Sequence, residues 1–223
     1  MKNKLIYILG LTIIFIVTFT FLGKEALCAE DVTPVEDLMR EHGVLRRVML
    51  IYEREISESE KGKAIKYDVI YKSAGIIHDF IEAYHEKLEE DYIFPIFEKA
   101  GKLTDLTRTL REQHKAGRKL TQSILRFSKE KQSDDKENLN ALADNLRAFL
   151  KMYRPHAARE DTVLFPALHD LISGKEYDEL GDKFENKEIE LFGKNGFEKI
   201  VGKVTDLEKT LGIYNLEQFT HQP

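Results

Sequence analysis

Apolar residues recur at helical spacing along almost the whole chain from Pro34 onward. Four long stripes with steps of three and four residues occupy Val35 to Ile56, Ile70 to Ile96, Leu106 to Ile124, and Leu142 to Leu171. Each stripe is typical of the buried face of an amphipathic α-helix. Short polar connections join the four stripes, and no alternating strand pattern competes with them. The sequence therefore predicts an all-α fold, an antiparallel up-down four-helix bundle.

The chain continues beyond the fourth stripe with a weaker helical pattern. Residues 176–212 predict one or two additional C-terminal helices, interrupted near the GKNG sequence at 193–196. We expect the tail from Ile213 to be extended. The expected domain division is a four-helix domain over 34–172 and a helical extension over 173–223.

The amino terminus has a different pattern. Lys2 and Lys4 precede the uncharged stretch 5–23, and small residues lie around Ala29. A basic start, an apolar stretch and a small-residue site are typical of a secretory signal peptide, here residues 1–29. An uncleaved membrane anchor is the alternative, because this stretch is just long enough to span a bilayer. In the first case the domain is secreted or periplasmic; in the second it is anchored, again outside the cytoplasm.

Composition narrows the possible chemistry. The net charge is −5, and no basic stripe is present, which argues against nucleic acid as a partner. Cys28 is the single cysteine, so the chain forms neither a disulfide framework nor a cysteine-based zinc site. Any metal ligands must therefore be nitrogen and oxygen atoms.

A histidine–glutamate pair occurs twice along the chain. His85 is followed four residues later by Glu89, and His156 by Glu160, with a Phe-Pro sequence at the same distance after each pair. Residues i and i+4 share one face of a helix, so each pair presents an imidazole and a carboxylate to one point.

A second repeated motif precedes each of these pairs. His42 is followed four residues later by Arg46, and His114 by Arg118. The two motifs recur after 72 and 71 residues, which indicates a duplicated helix pair related by a pseudo-two-fold axis. Burying bare imidazoles and carboxylates together is unfavourable unless a metal or mutual pairing compensates. A nitrogen and oxygen ligand set suits iron, manganese or zinc better than copper(I).

These motifs resemble those of the hemerythrin-like, or HHE cation-binding, proteins. The resemblance covers residues 34–172 through EHGVLRR, HEKLEEDYIFP, REQHKAGR and RPHAAREDTVLFP, and ELFGKNGFEKIV is similar to the tail of some bacterial members. It implies a non-haem di-iron centre with two irons per chain, bridged by carboxylates or an oxo group, that binds dioxygen or other small oxidants. The implied ligands are His42, His85, Glu89, His114, His156 and Glu160, and in some members the carboxylate at the position of Glu86.

One position departs from the oxygen-carrying members of that family. They place a further histidine four residues after the third-helix histidine, where this chain has Arg118. The expected set is therefore four histidines with two or three carboxylates. A more anionic site should favour the ferric state and leave positions for peroxide or nitric oxide, which argues against reversible oxygen carriage.

Several residues near the motifs have two interpretations. Three acidic residues lie beside the pairs. They can either supply additional oxygen ligands or orient the other ligands by hydrogen bonding: Glu86, Glu90 and Asp161. Arg46 and Arg118 either extend to the surface or pair with site carboxylates. Tyr84 and Tyr153 are either core aromatics or hydrogen-bonding groups. Three further histidines are expected at the surface or the helix ends: His78, His169 and His221.

Three functions are compatible with these observations. The resemblance favours a binder of a small diatomic or peroxide ligand, namely dioxygen, nitric oxide or peroxide. A peroxidase- or catalase-like scavenging enzyme is favoured by the smaller histidine set, the nearby tyrosines and the expected location outside the cytoplasm. The third possibility is a metal-free structural or partner-binding bundle. A membrane is a partner only if the N-terminal segment is uncleaved.

Overall fold

The computed structural model describes residues 32–129 and 136–221. Regular structure in these two ranges is entirely helical, without a strand, so the predicted all-α class is confirmed. The predicted signal peptide or anchor over 1–29 lies outside the described residues. No helix in the described part of the chain is long and apolar enough to cross a membrane.

Six helices account for most of the two described ranges. They are α1 (Pro34–Glu60), α2 (67–100), α3 (Thr104–Lys129), α4 (136–168), α5 (Gly174–Phe192) and α6 (Gly196–Leu211). The first three predicted stripes fall within α1 to α3, and the fourth covers α4 but was expected to continue to Leu171, three residues past the end of that helix. The predicted break near 193–196 separates α5 from α6. The tail was expected to be extended, but it contains a 3₁₀ turn over Leu216–Phe219, where the side chain of Asn215 accepts a hydrogen bond from the Glu217 amide at 3.0 Å.

Local sequence signals define several helix ends. Thr33 caps α1 by accepting a hydrogen bond from the Glu36 amide at 3.2 Å, and Pro34 follows at the first helical position, where no amide donor is needed. Ser173 and Glu176 form a reciprocal capping box at the start of α5. Gly101 ends α2 in the left-handed conformation, which glycine adopts without steric cost.

The helices α2 and α4 are continuous but change their winding. In α2, Ile77–His85 and Glu89–Ile93 are π-helical, and in α4 Glu160–Leu164 is π-helical. Two of these turns lie just before Pro95 and Pro166, whose missing amide hydrogen disturbs regular α-helical bonding. The repeat found in the sequence therefore extends to the backbone, since equivalent turns begin at Glu89 and at Glu160.

The four helices α1, α2, α3 and α4 pack around a common interior. Contacts join α1 to α2, α2 to α3, α3 to α4 and α4 to α1, while α5 and α6 pack against α1, and α6 also against α2. The interior contains large buried side chains, including Tyr52 and Phe149, whose rings meet edge to face at 5.4 Å. The extension is fastened to α1 by Arg47, whose guanidinium donates to Glu208 at 2.9 Å and to Thr205 at 2.8 Å.

Candidate metal centre

The six repeated histidines and glutamates come together in the interior that the four helices α1, α2, α3 and α4 enclose, and all six side chains are buried. They form two groups whose potential ligand atoms lie within 4.8 Å of one another. The first group is His42, His85 and Glu89, and the second group is His114, His156 and Glu160. One group comes from α1 and α2 and the other from α3 and α4, so each half of the repeat builds half of the centre.

The two imidazoles of each group face each other through their Nε2 atoms. The Nε2 of His42 lies 3.1 Å from that of His85, and the Nε2 of His114 lies 3.2 Å from that of His156. The ring planes are tilted by 52° and 54°, so neither pair is stacked. Two nitrogen lone pairs at this distance repel each other unless a proton or a cation lies near both. The arrangement fits two imidazoles that share one cation.

The two glutamates lie between the histidine pairs. Glu160 Oε1 is 3.1 Å from His156 Nε2, and its Oε2 is 3.4 Å from His42 Nε2. Glu89 Oε2 is 3.8 Å from His85 Nε2 and 3.4 Å from His114 Nε2. Each carboxylate thus faces both groups, as a bridging carboxylate would.

The oxygens of these two glutamates are not satisfied by the protein itself. All four are buried, and none has a hydrogen-bond partner of good geometry. Buried carboxylates normally gain a cation or several donors in exchange for lost water. A cation held by each histidine pair would supply the positive charge that these buried carboxylates lack, so the residues fit the metal that the motifs predict.

The outer nitrogen, Nδ1, of each of the four histidines contacts a side-chain oxygen. The four contacts of Nδ1 are His42 with Asp161 at 2.6 Å, His85 with Glu41 at 2.6 Å, His114 with Glu90 at 3.1 Å, and His156 with Gln113 at 2.8 Å. An imidazole that donates from Nδ1 keeps its Nε2 lone pair free for a metal. The outer contacts therefore orient all four Nε2 atoms inward.

These outer contacts follow the repeat. The residue before the first histidine of each half, Glu41 or Gln113, accepts from the second histidine of the same half. The acid after each repeated glutamate, Glu90 or Asp161, accepts from the first histidine of the other half. Of the two interpretations of Glu90 and Asp161, the structure favours hydrogen bonding. Sequence reasoning missed Glu41 and Gln113, although their shared place before a repeated histidine was a usable signal.

Both repeated arginines pair with an acid that contacts the outer nitrogen of a histidine. Arg46 contacts Asp161, and Arg118 lies 2.7 Å from Glu90 Oε1. Each arginine thus binds the acid that orients the histidine one turn before it in its own helix. Their side chains stay partly exposed, at 47% for Arg46 and 29% for Arg118. Both arginines therefore pair with carboxylates beside the centre, and Arg118 also contacts Glu86, but neither contacts Glu89 or Glu160.

The sequence profile of the hemerythrin HHE cation-binding domain matches residues 33–184. The chain belongs to the hemerythrin HHE cation-binding family. Uncharacterized proteins of Mycobacterium bovis and of two Mycobacterium tuberculosis strains are each 48% identical to it over 201 residues, which cover 89% of this chain and 79% of theirs. No solved structure matches the chain significantly.

Glu86, the third carboxylate of the expected ligand set, lies outside both groups. Its Oε1 accepts a hydrogen bond from the Tyr153 hydroxyl at 2.7 Å, and its Oε2 lies 2.8 Å from Arg118 Nη2. It could instead share a cation with Glu90 and His114, but Arg118 already contacts both acids. The geometry gives Glu86 two partners within the protein, and its role as a ligand stays a prediction.

The tyrosines and the remaining histidines of this HHE chain also have defined places. Tyr153 is both a buried core aromatic and a hydrogen-bond donor. Tyr84 is buried, and its hydroxyl lies 3.5 Å from the backbone oxygen of Phe184. The three histidines outside the centre are exposed, as expected: His78, His169 and His221.

Burial and neighbouring charges together affect the protonation of the candidate ligands. Burial lowers the pKa of His114 to about 4 and that of His85 well below its usual value, which favours the neutral imidazole. For His42, burial acts in the same direction, but hydrogen bonds to Asp161 and Glu160 outweigh it and raise the pKa to about 9. Burial and the nearby Glu160 carboxylate raise the pKa of Glu89 well above its usual range. Burial also disfavours the charged form of Glu160, but attraction by His156 and His42 outweighs it and lowers its pKa.

Proposed function

We propose that this protein is a non-haem di-iron protein that binds a small oxidant or gas, namely dioxygen, nitric oxide or peroxide. The observation that carries the proposal is the pair of two-histidine groups facing two shared, otherwise unsatisfied carboxylates. In this proposal α1 to α4 form an antiparallel up-down bundle around the centre. The proposed ligands are His42, His85, Glu89, His114, His156 and Glu160.

Iron bound there would supply a redox-active Lewis acid with positions for a small molecule. The side chains of the chain prepare that site. Asp161 and Glu90 hold the His42 and His114 rings in place, and Phe165 and Phe94 stack on the same rings with centroids 5.6 Å apart. The apolar rings limit the access of water to the centre, so a small neutral gas enters more easily than a larger polar substrate.

Metal analysis joined to spectroscopy tests this function. Protein purified without chelators is expected to hold about two irons per chain, as in di-iron bundles. The absorption spectrum is then recorded before and after addition of dioxygen, peroxide and nitric oxide, and at least one should change it. A protein purified without metal would support the alternative of a metal-free structural bundle. An iron-loaded protein whose spectrum none of the three molecules changes would contradict the binding function.

A scavenging enzyme is the second candidate, and the environment of Tyr153 favours it. A buried tyrosine hydroxyl, paired with Glu86 and near the second group, is suited to proton and hydrogen-bond exchange with a reactive small molecule. Peroxide decay measured with the wild type and with Glu89→Ala decides this candidate. Equal rates in the two proteins would remove it.

We also propose that the domain works outside the cytoplasm, because residues 1–29 have the pattern of a signal peptide. Expression of the full chain in a bacterium, followed by mass measurement of the product, tests this. Cleavage after Ala29 would yield a chain that starts at Glu30. An intact chain in the membrane fraction would favour the anchor instead.

A further inference from the structure

The repeat gives the two histidine pairs equivalent inner ligands but different outer partners. In each half, one imidazole has an outer partner of the same kind as in the other half, and the second imidazole does not. Two positions with equivalent inner ligands would bind a metal ion about equally well. The outer partners therefore decide any difference in affinity between them.

The matched partners are the two acids that contact His42 and His114. Asp161 lies 2.6 Å from Nδ1 of His42, and Glu90 lies 3.1 Å from Nδ1 of His114. Each acid is also paired with the arginine that follows its histidine by one helical turn. One acid and one arginine thus occur in each half, so they act similarly on both positions.

The unmatched partners are Glu41, which contacts Nδ1 of His85 at 2.6 Å, and Gln113, which contacts Nδ1 of His156 at 2.8 Å. They occupy equivalent places, because each directly precedes the first histidine of its half. Glu41 is completely buried, whereas Gln113 is half-buried. One position is therefore backed by a carboxylate where the other is backed by a neutral amide.

Among the residues that the structure describes, no lysine or arginine contacts the carboxylate of Glu41. Its Oε1 has no hydrogen-bond partner of good geometry, and the nearby Arg40 lies 3.9 Å from Asp37 instead. Asp37 and Glu188 repel Glu41, so this side of the first group is acidic. A metal ion on Nε2 of His85 would stabilise the negative charge of Glu41 through the ring, and burial reduces the screening of that attraction.

The second half contains a further buried acid, Glu86, whose charge is already compensated. Its Oε1 accepts a hydrogen bond from the Tyr153 hydroxyl at 2.7 Å, and its Oε2 lies 2.8 Å from Arg118. The neighbouring Glu90 contacts Lys87 at 3.1 Å as well as Arg118. The two acids are thus paired with two cations, so Glu86 does not take the place of Glu41 in this half.

We propose that the two metal positions differ in affinity, that the His42–His85 position takes the first metal ion, and that Glu41 is the positioning residue responsible. A carboxylate that accepts from the outer nitrogen of an imidazole makes the inner nitrogen a stronger donor to a cation than an amide does. This inference deepens the proposed function, because it rests on the same six ligands.

Binding of Co²⁺ to variants that retain one complete histidine pair tests the proposal. His114→Ala retains the His42–His85 pair, and His42→Ala retains the His114–His156 pair. Competition with a chelator gives the dissociation constant of Co²⁺ for each variant. We expect His114→Ala to bind Co²⁺ about tenfold or more tightly than His42→Ala, which is within the range that an outer partner contributes.

Reciprocal substitutions assign this difference to the outer partners. Adding Glu41→Gln to His114→Ala should weaken Co²⁺ binding about tenfold, and adding Gln113→Glu to His42→Ala should strengthen it by a similar factor. A merely structural role would not produce the gain in the second variant. Stepwise Co²⁺ titration of the otherwise intact chain provides a second route. It should resolve two affinities in the wild type that lie closer together in Glu41→Gln and in Gln113→Glu.

Glu36→Gln and Ala116→Glu are the matched controls in the same two backgrounds. They make the same changes of charge at exposed positions of α1 and α3. Neither should change the dissociation constant of Co²⁺. Circular dichroism of each metal-free variant checks that its helices form as in the wild type.

Three outcomes would overturn the inference. Equal Co²⁺ affinities of His114→Ala and His42→Ala, or tighter binding by His42→Ala, would refute the order of loading and leave the proposed metal centre intact. An affinity difference that neither reciprocal substitution changes would show that Glu41 and Gln113 do not cause it. A wild-type protein that binds no Co²⁺ would refute this inference together with the ligand set of the proposed function.

Discussion

The carboxylate of Glu41 accepts a hydrogen bond from Nδ1 of His85 across 2.6 Å, and both side chains are buried. Glu41 is the neighbour of His42 in α1, so the same turn of one helix supplies a candidate ligand and orients His85 on α2. Burial raises the pKa of Glu41 to about 8, against the opposing effects of Tyr84 and His42. An ionised carboxylate is unfavourable at this buried position, and the hydrogen bond from His85 offsets part of that cost.

Substitution of Glu41 should weaken metal binding without removing a ligand. Glu41→Ala leaves Nδ1 of His85 without an acceptor, and loss of such an outer partner typically lowers metal affinity about 10–100-fold. A competitive titration against a chelator measures the change. Glu41→Gln retains an acceptor oxygen, like Gln113 in the other half, and should lose less. Identical affinities in all three proteins would show that the contact does not orient the ligand.

His114→Ala should cost at least one metal ion per chain, because it removes one of two imidazoles from the second group. Metal quantification after gel filtration checks this. His169→Ala is the control, since His169 is exposed and lies outside both groups. An unchanged metal content in His114→Ala would mean that the proposed ligand set is wrong.

Glu89→Gln should stabilise the metal-free protein while removing its stabilisation by metal. The buried carboxylate has no hydrogen-bond partner and faces Glu160, so a neutral amide of similar shape should raise the free energy of unfolding of the metal-free form by about 1–3 kcal/mol. Unfolding in urea with chelator, and again with ferrous iron, measures both effects. A less stable metal-free variant together with unchanged stabilisation by iron would contradict the bridging role.

Asp37 should make the stability of the fold depend on pH. Burial, with repulsion from Glu41 and Glu188, raises its pKa from 3.8 to about 7. Between these values the folded protein binds more protons than the unfolded chain, so the free energy of unfolding falls as the pH rises through this window. Asp37→Asn should therefore exceed the wild type in stability by about 1–3 kcal/mol at pH 8, with the difference shrinking toward pH 5.

Urea denaturation of both proteins at pH 5, 6.5 and 8 checks this prediction. Glu36→Gln is the control, because Glu36 is an exposed acid in the same helical turn. A constant difference between Asp37→Asn and wild type over this range would show that the Asp37 carboxylate does not titrate in it.

The local pattern of the chain was enough to predict the helices and the convergence of the repeated histidines and glutamates. Helical periodicity depends on neighbours three and four residues apart, and the duplicated motifs place equivalent side chains on equivalent helix faces. Periodicity did not predict the π-helical turns at Glu89 and at Glu160. These turns arise because Pro95 and Pro166 alter the hydrogen bonding of the helices in which they lie.

The sequence by itself determined the all-α class, the repeat and the six residues that meet in the interior, because each is encoded in spacing along one helix. Only the tertiary structure decided the partners of those residues. Glu41 meets His85, and Arg118 meets Glu86, across different helices. Such contacts depend on helix rotation and packing depth, which single-helix periodicity does not specify. The same holds for Tyr153, whose place beside His156 requires the room left by Gly117 on α3.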